Sequence, residues 1–127
     1  MRVLLDTNVL LRLHLQPAKI GERTKAALGA SRQIHYSPLS FFELLQKEVV
    51  APHVIEDLVV ATHRIGIREW PLTAKAAVEA RRFGSLRGRD PLDMLILAQA
   101  SEAGMSFYTS DLELQGLDLD FVKDSTL

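Results

Sequence analysis

Nine residues close to the amino terminus, VLLDTNVLL at positions 3–11, restrict what this chain can fold into more than any other stretch. An apolar run this short reads as a buried central strand, and Asp6 then falls at its carboxyl end. A lone carboxylate is costly to bury there unless it is hydrogen-bonded, paired or bound to a cation. Two readings meet at this point. Asp-Thr-Asn can turn a strand into a helix, with Asp6 or Thr7 capping a helix that starts near Val9. Alternatively, Asp6 belongs to a site, which requires other carboxylates to recur at the same edge of the sheet.

The rest of the chain alternates between helical and extended patterns. Short helices are expected over 9–15, stopped before Pro17, and over 21–30, followed by a strand over 34–36. Ser37-Pro38 has the form of an N-cap with proline at the first helical position, opening a helix to about Val49 that Pro52 stops. Residues 53–65 form an amphipathic helix closed by Gly66, and 67–72 are extended. An alanine-rich helix runs from Thr73 to about Phe83. GSLRGR at 84–89 has two glycines and no periodicity, so it reads as a flexible loop. Asp90-Pro91 restarts helix as far as Gly104. A strand over 106–109, a short helical turn and a last strand over 119–122 complete the chain. Such alternation predicts a single α/β domain over 1–127, with a mostly parallel central sheet between layers of helix and ligands gathered beyond the carboxyl ends of the strands.

Composition excludes several kinds of chemistry. With 127 residues and no cysteine, thiolate metal sites, disulfides and cysteine nucleophiles are ruled out. No apolar run approaches the ~20 residues that cross a bilayer, so no membrane is expected. The amino terminus has no basic region leading into an apolar core, so export is not expected and a cytoplasmic location is. A formal net charge of −1 does not announce a nucleic-acid binder, so any such partner must be held locally or through a metal. His14, His35, His53 and His63 show no metal-ligand spacing and are expected at the surface or as caps.

Three further acids recur where a sheet edge could gather them. In Asp90-Pro91-Leu92-Asp93, Asp90 is placed as N-cap and Asp93 falls at the third helical position. The pair can be a local capping arrangement, or it can be held ionised by the helix amino terminus as a metal ligand must be. Ser40, Glu43 and Lys47 form one polar stripe on an otherwise apolar helix, either a solvated face or a face turned toward the strand ends. Asp111 ends a predicted strand and either caps the next turn or joins Asp6. Four carboxylates at one edge would repel one another by roughly 1 kcal/mol per pair at about 4 Å in water, and by more where water is excluded. A hard divalent cation removes that repulsion, and all-oxygen ligation selects Mg²⁺ or Mn²⁺.

The order LLDTNVLL, SFFEL, RDPLDMLILAQA and YTSD resembles the PIN-domain ribonucleases, in particular the small VapC-type toxins of bacterial toxin–antitoxin pairs. The likeness runs from about Val3 to Asp111. It implies a Rossmann-like three-layer α/β/α fold and metal-dependent endonucleolytic hydrolysis of RNA. It also implies a catalytic and metal-holding set of Asp6, Glu43, Asp93 and Asp111, with Thr7, Asn8, Ser40, Asp90 and Thr109 in support. A homodimer neutralised by a cognate antitoxin protein follows from the same resemblance. In that chemistry a Mg²⁺ or Mn²⁺ ion activates water and neutralises charge developing on the phosphate, and no side-chain nucleophile is needed.

Arg81, Arg82, Arg87 and Arg89 cluster ahead of Asp90, where they either grip RNA phosphates or cap a helix end, and Arg82, Arg87 and Arg89 are the candidate substrate contacts. Two other functions compete. One is a PIN-like module that binds RNA or protein without cutting. The other is a phosphotransferase of the haloacid-dehalogenase or receiver type, opposed by Asn8, which stands where the former needs a second aspartate.

Overall fold

The computed structural model describes residues 1–86, 88 and 90–127, the side chains of Ser85 and Leu86 excepted. Among them five strands form one parallel sheet: β1 (Arg2–Leu5), β2 (Gln33–Tyr36), β3 (Arg68–Glu69), β4 (Ser106–Thr109) and β5 (Val122–Asp124). Their spatial order is β3-β2-β1-β4-β5. The helices are α1 (Thr7–Leu15), α2 (Glu22–Ala30), α3 (Pro38–Gln46), α4 (Pro52–Arg64), α5 (Ala74–Glu79), α6 (Pro91–Ala103) and α7 (Leu112–Gln115). The chain builds outward from β1 on one side and then returns to build outward on the other. The switch point lies between β1 and β4, where open parallel sheets place their ligands.

Period-two alternation in the central strands explains why helices cover both faces. Val3 and Leu5 point into one core with Val9, Leu10, Leu28, Phe41, Leu44, Ile55 and Leu58. Leu4 points into the other, with Ile96, Leu97, Ala100, Met105 and Leu114. Phe107 and Tyr108 divide in the same way, one to each core. A strand buried on both faces must be apolar throughout, and β1 is fully so from Val3 to Leu5, all 0% exposed.

Helix starts follow the sequence signals. The Ser37 hydroxyl accepts from the Leu39 N–H at 3.1 Å ahead of Pro38, and Asp90 accepts from the Leu92 N–H at 2.9 Å ahead of Pro91. Thr73 caps α5 through the Ala76 N–H at 3.1 Å. Gly66, at φ 89°, closes α4 with Gly66 N–H to His63 O and Ile67 N–H to Thr62 O, the paired bonds of a Schellman turn.

Several boundaries differ from expectation. Helix α3 stops at Gln46 instead of about Val49, because Glu48 adopts φ 51° and the Glu48 and Val49 amides turn back to Leu45 O and Leu44 O. Pro52 opens α4 at its first position and is not what ends α3, which has already stopped at Gln46. The extended segment 67–72 pairs only at Arg68–Glu69; Trp70 N–H still reaches Tyr36 O at 2.8 Å, and Pro71 then has no N–H to offer. The helix expected over 73–83 breaks into α5 and a 3₁₀ segment, Ala80–Leu86, where Phe83 leaves helical geometry (φ −104°, ψ 35°) to bury its ring in the second core. That segment takes up the first half of the expected loop 84–89, while Arg87 and Arg89 lie outside the described residues. The last strand is Val122–Asp124, not 119–122: Leu119 and Phe121 pack into the second core and Val122 is the partner of Phe107.

The histidine expectation also needs correcting at His35. This residue lies inside β2, is 4% exposed and meets the Trp70 ring edge-on at 5.1 Å. His14 bonds the Thr62 hydroxyl at 2.8 Å, and His63 bonds the Tyr36 hydroxyl.

Candidate functional site

Beyond the carboxyl ends of β1 and β4 lies a cavity of about 310 Å³, lined by Asp6, Thr7, Asn8, Leu11, Glu43, Leu44, Lys47, Val49, Asp93 and Asp111. The four acids singled out from the sequence therefore share one pocket. Each arrives on a different element: Asp6 follows β1, Glu43 sits on α3, Asp93 in the first turn of α6, and Asp111 between β4 and α7. Capping and site are not alternatives here. Asp6 accepts from the Thr7 N–H at 2.8 Å as the cap of α1, and Asp111 accepts from the Glu113 N–H at 2.9 Å as the cap of α7, yet both carboxyls line the cavity. The polar stripe of α3 is no solvated face, since Ser40 and Glu43 are 0% and 4% exposed.

Asp6 is the most constrained of the four. Its Oδ2 accepts from the Thr109 hydroxyl at 2.6 Å and more weakly from Asn8 Nδ2 at 3.4 Å. Thr109 Oγ1 in turn accepts from the Asp111 N–H at 3.0 Å. The Asn8 carbonyl receives the Ser110 N–H at 3.4 Å, and the Thr7 hydroxyl donates to Ser40 Oγ at 3.0 Å. Thr7, Asn8, Ser40 and Thr109 thus link β1, α3 and the end of β4 around Asp6, whereas Asp90 caps α6 and faces Lys47. Burial pushes the Asp6 carboxyl up to about 7, with the negative charges of Asp93 and Glu43 adding to the rise and the Thr109 and Thr7 bonds opposing it. Proton-free Asp6 at neutral pH therefore calls for positive charge nearby.

The one ammonium in the described lining belongs to a residue that the sequence placed only on the stripe, and it sits on Glu43, not on Asp6. Lys47 Nζ lies 2.8 Å from Glu43 Oε2 and 3.6 Å from Asp90 Oδ2. Its signal was the i, i+4 spacing from Glu43, which puts both on one helix face. The bond to Glu43 raises the lysine pKa, with the charges of Asp90 and Asp93 contributing. Among the described residues no three acidic or imidazole groups are drawn together tightly enough to hold an ion as they stand. The donor set nevertheless suits a hard cation: all the ligating atoms offered are oxygens, and the described lining carries four carboxyl groups against one ammonium.

The arginine candidates divide. Arg82 is not in the pocket lining; its guanidinium binds Glu79 Oε2 at 3.0 Å and Ser101 Oγ at 2.7 Å on the α5–α6 side. Arg81 borders a separate shallow cavity with Lys75, Glu79 and Glu102. Arg87 and Arg89 fall outside the described residues.

A parallel α/β/α sandwich with an acidic pocket at its switch point is a Rossmann-like architecture with its candidate site where open parallel sheets bind ligands. Residues 3–118 match the PIN domain family, and the chain belongs to that family. In fold it is similar to VapBC-1 from nontypeable Haemophilus influenzae (TM-score 0.74, 16% identity, all of both chains covered). It is similar as well to VapBC2 from Rickettsia felis bound to a promoter DNA fragment (0.71, 13%, 98% of each chain) and to a toxin–antitoxin complex from Klebsiella pneumoniae (0.69, 20%, 97% of each chain). Among curated proteins none matches the sequence. No helix of the described residues is long and apolar enough to cross a membrane.

Proposed function

We propose that this protein is a metal-dependent endoribonuclease, the toxin member of a type II toxin–antitoxin pair. The observation that carries the reading is the convergence of Asp6, Glu43, Asp93 and Asp111, from four elements, on one cavity. The family supports nuclease chemistry, and the toxin–antitoxin complexes among its structural relatives support an antitoxin as partner. A cytoplasmic homodimer completes the proposal.

Asp6 and Asp93 would be the principal holders of Mg²⁺ or Mn²⁺, with Glu43 and Asp111 completing the set directly or through water. The chemistry such an ion would supply is a bound water of lowered pKa and charge to offset that building on the phosphate during in-line hydrolysis. The chain's own contribution is to fix the donors. Thr109 and Thr7 lock the Asp6 carboxyl with bonds to its two oxygens. The amino terminus of α6 favours an ionised Asp93, and Leu11, Leu44 and Val49 supply an apolar wall that strengthens electrostatic interactions within the cavity. Arg82, Arg87 and Arg89 are the proposed substrate contacts; for Arg82 this requires release from Glu79 and Ser101.

The competing reading is a PIN-like module that binds RNA or protein without cutting, and the Lys47 ammonium already seated on Glu43 is the observation in its favour. Incubating the purified protein with structured and unstructured RNAs, with Mn²⁺ or Mg²⁺ and then with EDTA, separates the two. Cleavage that EDTA and Asp6→Asn both abolish is expected. RNA or antitoxin binding with no metal-dependent cleavage would establish the module instead.

A further inference from the structure

Lys47 is anchored to Glu43 twice. Its backbone N–H donates to Glu43 O at 3.0 Å, and its ammonium donates to Glu43 Oε2 at 2.8 Å. The two partners differ sharply in burial: the Glu43 side chain is 5% exposed and the Lys47 side chain 51%. The carboxylate is fixed by packing, whereas the ammonium sits over it from the solvent side on a flexible stem of four methylenes. Glu43 therefore cannot leave the pocket without unpacking α3, while Lys47 can turn outward and lose little buried surface. A second carboxylate, that of Asp90 at 3.6 Å, steadies the lysine at the rim. The carboxyl end of α3, where Lys47 stands, also favours a cation.

We propose that Lys47 is a displaceable counterion of the acidic pocket, its ammonium competing with a divalent cation for Glu43. The inference rests on the reading of this pocket as a divalent-cation site. With no ion bound, the lysine neutralises the carboxylate that burial would otherwise penalise, so the fold tolerates the acidic cluster. An ion taken up by Glu43 Oε2 would open the Lys47–Glu43 contact and release one positive charge to the mouth of the cavity. Lys47 is thus a positioning residue that sets how much ion the site needs before it fills.

The test is Mn²⁺ binding to the full chain, read from the electron paramagnetic resonance signal of free Mn²⁺ and requiring no RNA. Lys47→Met keeps the stem and removes the charge, and it should bind Mn²⁺ about ten-fold more tightly than wild type, the gain expected for removing one like charge near the site. Lys47→Gln, a polar second variant, should shift the same way, while Lys47→Arg should restore wild-type affinity or bind more weakly. Equal affinity in wild type and Lys47→Met, or weaker binding in the variant, overturns the competition and leaves the metal site standing. Absence of Mn²⁺ binding in wild type and in all three variants overturns the metal reading, and this inference with it.

Discussion

The hydroxyl of Thr109 lies 2.6 Å from Asp6 Oδ2 and 3.0 Å from the Asp111 amide, so one fully buried group ties together acids from opposite ends of the chain. Thr109→Val keeps the shape and removes both bonds, leaving a part-buried N–H and a buried carboxylate each short of a partner. The expected loss is about 1–3 kcal/mol of stability, measured by urea denaturation, with weaker Mn²⁺ binding beside it. Thr109→Ser should recover most of both.

Asp6 makes stability depend on pH in an unusual direction for an aspartate. Its carboxyl is raised from 3.8 to about 7 in the folded chain, so between those values the folded state binds the proton that the unfolded state releases. In EDTA, the stabilising contribution of protonated Asp6 is full below pH 3.8 and is lost as pH rises to about 7. His14 and His35 act oppositely. Burial lowers both, so their share is full above 6.5 and is lost on acidification. Comparing wild type with Asp6→Asn cancels the histidines. The variant should be the more stable protein at pH 8, by at most on the order of 4 kcal/mol, and should lose that advantage near pH 4. Chemical denaturation at a series of pH values checks this, and an advantage that does not vary with pH would contradict it.

Gly21 packs so closely on the end of the chain that a Cβ there would stand 2.1 Å from the Leu127 carbonyl carbon. The same contact includes Gly21 N–H to Ser125 O at 3.0 Å and Arg23 N–H to Leu127 O at 2.8 Å, which serve the start of α2 where no side chain caps it. Gly21→Ala should therefore push residues 125–127 away. Amide exchange should quicken at Gly21, Arg23 and Ser125, with a stability loss of about 1–3 kcal/mol.

Removing buried volume near the switch point tests the second core. Leu97 is fully buried on α6, the helix that carries Asp93. Leu97→Ala should cost about 2–5 kcal/mol by thermal or urea unfolding, with metal affinity preserved in whatever fraction remains folded.

How much of this was legible in the sequence depends on whether the signal was local. Caps and turns were, because Ser37-Pro38, Asp90-Pro91 and Gly66 act on neighbours within a few residues. The position of Asp6 at a strand end followed from the apolar run before it. What periodicity could not tell was which way the polar stripe of α3 faced, since Ser40, Glu43 and Lys47 suit water and a pocket equally well; only packing against α1 and α6 decides that. For the same reason Lys47 stood out as a stripe member and not as a pocket residue. His35 was misplaced because an imidazole can sit inside a strand when an aromatic edge and a side-chain amide receive it. The last strand slipped because Leu119 and Phe121 look like strand residues but are drawn into the core beside it.

The order of strands also governs when this protein can become competent during its own synthesis. β1 emerges first, yet one of its two neighbours is β4, whose residues appear a hundred positions later. Until that strand has left the ribosome, Asp6 lacks Thr109, the Asp111 wall is missing, and the nascent chain holds only an open half of the cavity. The activity proposed for this pocket therefore waits on the second half of the chain, because Asp93 and Asp111 are both made long after Asp6 and Glu43.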